Sequence, residues 1–332
     1  MQTTKRAVPA LVAVVLLTFV VAACGGDEKE STATTPSGAA SGKATPAADS
    51  KAIQADPANR GKTFTVGSKN FAEQFILGEI YAQSLEAAGF KVSKQLDLGS
   101  EQIAFKSLKS GKIDAYPEYS GTALTSFYRV KTDDIPRDKD QAFEQLKTSA
   151  AEDDITALPQ TPFQNTFVVS STKETAKKFG NPKTISELAA KAGTKASISG
   201  FPECRQRTDC LLGLKNVYNW SPKFVSSQGK YADLEADQAD LTFGFGTDGE
   251  QASGKYIGYE DDKQLFPPYY ITLLTSQKGI ATLGEAGQAV IAKVQEPLTE
   301  KVMAELNSRV SIDKKKPEDV AADYLKAAGF TK

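Results

Sequence analysis

The residues with the most chemical potential lie in Gly111-Lys-Ile-Asp-Ala-Tyr-Pro-Glu-Tyr-Ser-Gly-Thr122. Two tyrosines and a carboxylate follow a short apolar strand, Ile113–Ala115, on a tight turn bounded by Pro and Gly. The C-terminal end of a strand is where an open α/β sheet presents side chains to a ligand, so this segment reads as a binding turn. Reactive chemistry is scarce by comparison. The 332-residue chain contains no histidine, which removes Ser-His-Asp and Cys-His catalysis and histidine-ligated metal sites. Glu118, Glu203, Asp248 and Glu250 could in principle supply a carboxylate pair for glycoside hydrolysis. Nothing in their spacing selects them, and neither a Gly-rich phosphate loop nor a nucleophile motif is present, so no catalytic residue, metal or cofactor is expected. A net charge of −1 without a basic face interleaved with aromatics argues against a nucleic-acid partner.

The elements that must position these residues alternate strand and helix. Thr63–Val66 reads as a strand, and Phe71, Phe75, Ile76, Ile80, Leu85 and Ala88 fall on one helical face that Gly89 stops. Residues 90–98 return as a strand, and Ser100 can cap a helix running through Leu108. Thr184-Ile-Ser-Glu187 is a capping box that opens a further helix. Strands are predicted at 196–199 and 240–245, and helices at 211–218, near 284–306, and from Pro317 to Ala328, where proline suits the first turn. Repeated βα units imply mixed or parallel sheets covered by helices.

The N-terminus bears on location. Lys5 and Arg6 precede an apolar run from Ala7 to Val21, which reads as a secretory leader over residues 1–23 and is too short for a stable membrane span. Val21-Ala-Ala-Cys24 matches a bacterial lipobox, so Cys24 is expected to carry lipid and anchor the chain; an ordinary secreted protein is the plainer alternative. Residues 24–61 are rich in small and polar side chains and are expected to form a flexible tether. Beyond Cys24 only Cys204 and Cys210 remain, an even pair that in an exported protein favours a disulfide. About 270 further residues suit two lobes better than one.

Together with Val66-Gly-Ser-Lys-Asn-Phe71 and Gly246-Thr-Asp-Gly249, the tyrosine segment resembles the osmoprotectant-binding proteins of ABC importers, the ProX/OpuC type. The resemblance runs from about Lys62 to Phe330 and rests on three motifs in the right order. It implies an α/β, two-lobed periplasmic-binding-protein-like fold (type II) with the ligand cleft between lobes. Residues 62–163 plus 246–332 would build the first lobe and 164–245 the second, with hinges near 161–165 and 244–249. It further implies a quaternary ammonium ligand, a permease with ATPase subunits as partners, a monomer, and an extracytoplasmic position on the outer face of the cytoplasmic membrane. The alternatives are a sensory lipoprotein binding the same ligand class without transport, and an ABC receptor for a different small polar solute.

A quaternary ammonium has no N–H to donate, so it is held by aromatic faces. The family's cage maps onto Tyr119, Phe167, Tyr231 and Phe245, with Thr122 as a hydroxyl donor and Lys69 and Arg207 as cations for the ligand's carboxylate. Asp248 either orders its turn or meets ligand. Phenylalanine at two cage positions keeps the π face and loses the hydroxyl. At about 0.5–2 kcal/mol per ring, four rings supply part of the roughly 8 kcal/mol that micromolar affinity needs.

Overall fold

The computed structural model describes residues 51–332. The expected leader, Cys24 and most of the expected tether lie outside the described residues. Among the described residues ten strands form two five-stranded sheets. β1 (Thr63–Gly67), β2 (Lys91–Gln95), β3 (Ala115–Tyr119) and β4 (Ile155–Ala157) are joined by the late strand β10 (Ile271–Ser276) in the order β2-β1-β3-β10-β4. The second sheet comprises β5 (Phe167–Thr172), β6 (Ser197–Gly200), β7 (Lys223–Ser226), β8 (Leu241–Phe245) and β9 (Tyr256–Tyr259), in the order β7-β6-β8-β5-β9. In each sheet three parallel strands are followed by one antiparallel strand that the chain contributes on crossing between lobes.

The chain first passes from one sheet to the other between β4 and β5, the stretch that holds the expected hinge at 161–165 but does not fix where one lobe ends. It passes back later than the 244–249 segment. β9 pairs with β5 through Val169 and Tyr259, so the second lobe extends past 245 and the chain returns between Tyr259 and Ile271. The glycine-rich 244–249 segment looked like a crossing because of its composition, but the strand-forming Tyr256-Ile-Gly-Tyr259 still had an open edge of β5 to fill. The ordered body also begins earlier than Lys62. Ile53 donates its N–H to Phe330 and Asp56 to Ala88, which ties the last residues of the expected tether down.

Helices cover both sheets. Ala72–Ala87 buries Ile76, Leu77, Ile80, Tyr81 and Leu85 and packs against Pro317–Ala327. Thr184 caps its helix by accepting the Glu187 N–H at 3.2 Å, while the Glu187 carboxylate accepts from Lys183 rather than from Thr184 itself. Ser100 makes no side-chain cap bond. The expected helix near 284–306 is two, Gln277–Gln295 and Glu300–Ser311, and Gly284 interrupts the first with φ at +57°. No helix among the described residues is long and apolar enough to cross a membrane.

Candidate functional site

Ala115–Tyr119 is a strand, not a turn, and all five residues are buried. Pro117 is tolerated in it because β1 bonds β3 only near Ala115, leaving no ladder acceptor for the N–H that proline lacks. Tyr116 is consequently core, with its hydroxyl donated to Glu118 at 2.8 Å. Tyr119 ends the strand beside a cavity of about 610 Å³ between the lobes.

Four rings run along that cavity. Tyr119 and Phe71 stack at 6.2 Å, Phe71 and Phe245 at 6.0 Å, and Phe245 and Phe167 approach at 5.0 Å. Phe167 and Phe245 face each other because they are register partners on β5 and β8. Phe71 was expected on the buried face of a helix. Instead it is the extended residue before the helix starts, with φ −146° and ψ 162°, and it lines the cavity. Tyr231 does not line the cavity. Its helix begins behind β8, where its ring packs on Tyr256 at 4.6 Å and its hydroxyl lies over Gly244, leaving no room there for a side chain. Phe201 and Tyr269 also line the site and carried no sequence signal beyond being aromatic.

The cations expected here are present, but each already has an acid. Lys69 Nζ is bonded to Glu118, which also accepts the Tyr119 N–H, and lies 4.4 Å from the Tyr119 ring centre. Burial lowers the Lys69 pKa, and Glu118 opposes that shift. Arg207 donates from Nε to Asp209 at 2.8 Å and from Nη2 to the same carboxylate, with its guanidinium 5.4 Å from the Phe167 ring centre. Burial disfavours both charges, but their attraction outweighs it: Arg207 is raised and Asp209 lowered from their ordinary values. Thr122 is buried and accepts from Arg207 at 3.4 Å. Asp248 accepts from the Phe245 N–H at 2.9 Å and from Lys230 at 2.6 Å, so it orders its turn while lining the cavity.

Contacts across the cleft come from a loop closed by the Cys204–Cys210 disulfide, whose Cα atoms are 5.3 Å apart. Arg207 reaches Glu101 at 3.6 Å, Asp209 accepts from Thr125 at 3.2 Å, and Thr132 bonds Thr208 at 3.0 Å. Closer to the crossings, Glu73 gathers Tyr119, Asn165, Thr247 and Asn307. Neither Glu73 nor Asn307 was singled out from sequence, because their role depends on segments more than 150 residues apart in the chain.

Tyr119 is only 5 % exposed, so truncation touches the fold as well as the cavity. Tyr119→Ala is expected to lower stability by about 3–5 kcal/mol, as for large-to-small aromatic changes. Tyr119→Phe, which loses only the bond to Glu73, should cost about 1–2 kcal/mol. Denaturant melts of both variants check this, and equal midpoints would show that the ring is not packed.

Two interdigitated α/β lobes with an aromatic, partly charged cavity between them are the architecture of a solute-binding protein. Residues 62–327 match the OpuAC family, the substrate-binding domain of ABC-type glycine betaine transport systems, and the chain belongs to that family. It is 28 % identical over 280 residues to the glycine-betaine-binding protein of Pseudomonas aeruginosa, covering 80 % of this chain and 88 % of that one. The glycine betaine-binding protein YehZ of Escherichia coli is 25 % identical, over 83 % and 94 % of the two chains. Among solved structures, a glycine betaine/carnitine/choline ABC transporter protein superposes with a TM-score of 0.64 at 24 % identity, covering 80 % of this chain and 98 % of that one, which supports the fold.

Proposed function

We propose that this chain captures a quaternary ammonium compatible solute, such as glycine betaine, choline, carnitine or proline betaine, and delivers it to an ABC permease and its ATPase subunits. The observation that carries this reading is the row Tyr119, Phe71, Phe245 and Phe167 along one cavity. Rings attract a diffuse cation that cannot hydrogen-bond, and apolar burial of its methyl groups adds to the attraction. For the ligand's other end we assign Arg207, whose Nη1 lies 3.6 Å from Glu101, and which can turn a fork of N–H groups toward a carboxylate. Lys69, held by Glu118, has less to offer. The protein would act as a monomer without catalysis, outside the cytoplasmic membrane, tethered by lipid on Cys24 after its leader is removed.

Titration calorimetry tests the ligand class. At least one of the four named solutes should bind, and sugars and ordinary amino acids should give no heat. The reverse pattern would remove the cage from consideration. In the same experiment Arg207→Ala should weaken glycine betaine by about tenfold or more while changing choline little, since a charge-assisted hydrogen bond contributes about 1.5–3 kcal/mol. Equal losses for both ligands would mean that Arg207 serves only the loop.

A further inference from the structure

Each of the three cations that line the cavity sits near a ring. Lys69 lies over Tyr119, Arg207 over Phe167 and Lys230 over Phe245, at 4.4, 5.4 and 4.9 Å. A cationic ligand entering this row would be repelled by all three were they unbalanced. Each is matched by its own carboxylate, on Glu118, Asp209 and Asp248. Glu73 has no such partner. It is 2 % exposed, lines the same cavity, and among the described residues no lysine or arginine pairs with it.

Its carboxylate is instead surrounded by neutral donors. Oε1 accepts from the Tyr119 hydroxyl at 2.8 Å and Asn165 Nδ2 at 2.9 Å, and Oε2 from the Thr247 hydroxyl and from Asn307 Nδ2 at 2.9 Å. Four donors match the roughly four acceptor sites of an ionised carboxylate. Burial raises the Glu73 pKa above its ordinary value, and the four neutral donors oppose that shift by solvating the ionised form without cancelling its charge.

Building on the proposed ligand class, we propose that Glu73 is the counter-charge for the ligand's cation and selects quaternary over primary ammonium. A trimethylammonium group needs no acceptor, so the field of Glu73 acts on it with all four bonds intact. A primary ammonium must place its N–H groups on acceptors, and those of Glu73 are taken. Specificity then comes from an anion whose hydrogen-bonding capacity is already filled, behind rings that receive the methyl groups.

The test compares three probes by calorimetry on the full globular chain: choline, its neutral carbon isostere with a tert-butyl group in place of trimethylammonium, and ethanolamine. Glu73→Gln should weaken choline by about ten- to hundredfold, the Coulomb effect of one nearby charge at intermediate dielectric, and leave the isostere within about threefold. Wild-type protein should bind ethanolamine far more weakly than choline. Equal losses for choline and the isostere, or ethanolamine binding as tight as choline, would overturn the assignment. If Glu73→Gln does not fold, Glu73→Asp retracts the charge and must still weaken choline more than the isostere. A wild type that binds choline, with a variant unchanged, defeats this inference alone; a wild type silent to every quaternary ammonium defeats the proposed function and this inference with it.

Discussion

Glu118→Ala is expected to cost about 3–5 kcal/mol, the range for breaking a buried ion pair by removing one partner. Glu118 is fully buried in β3 and serves Lys69, the Tyr116 hydroxyl and the Tyr119 N–H at once. Truncation leaves the Lys69 ammonium without an acid in a site that already lowers its pKa by burial. Removing both charges, as in Lys69→Met with Glu118→Gln, should recover a large part of the loss, because desolvation is then no longer suffered by either group. Urea melts of the two singles and the double give the cycle. A loss below about 1 kcal/mol for Glu118→Ala would mean that the pair is hydrated in solution and behaves as a surface bridge.

A comparable loss, again about 3–5 kcal/mol, is expected for Asp209→Ala, with a change of shape besides. Asp209 is fully buried, holds Arg207, and accepts from Tyr269 at 2.7 Å on the return crossing and from Thr125 on the first lobe. Its removal frees the disulfide-closed loop from the facing lobe, so small-angle scattering should show a larger radius of gyration. The same carboxylate makes a pH prediction. Its pKa is lowered from 3.8 in the folded protein, so the stability it contributes is complete above the unfolded value and is lost as pH falls through the depressed folded one. The stability gap between the wild type and Asp209→Asn should therefore hold steady above about pH 5 and close in the acid range below it. A gap independent of pH down to acid unfolding would show that the charge is not what the site uses.

Much of this molecule was legible because its determinants are local. Strand and helix periodicity placed Thr63–Gly67, Leu241–Phe245 and the helix from Ala72, and Pro317 marked the start of the last helix. The disulfide followed from the even pair Cys204 and Cys210. Tyr119, Thr122, Phe167, Arg207, Phe245, Asp248 and Lys69 were reached through motifs whose spacing survives folding, and all seven line the cavity. The same local reasoning misread Tyr116, since a Pro-containing strand and a Pro-bounded turn look alike until a neighbouring β10 supplies the pairing.

By itself the sequence determined which segments are apolar, where several of the strands and helices lie, and that histidine chemistry is excluded. Tertiary structure alone decided which rings share a cavity, bringing Phe71 in and leaving Tyr231 behind β8. It also decided that the second lobe continues through β9, and that each cavity cation has its own acid while Glu73, among the described residues, has no cationic partner. The physical reason is the range of the forces concerned. Periodicity and capping act over a few neighbouring residues and are written along the chain. Charge balance and ring contact depend on through-space distance, and the groups that meet at Glu73 come from positions 119, 165, 247 and 307, which no spacing rule relates.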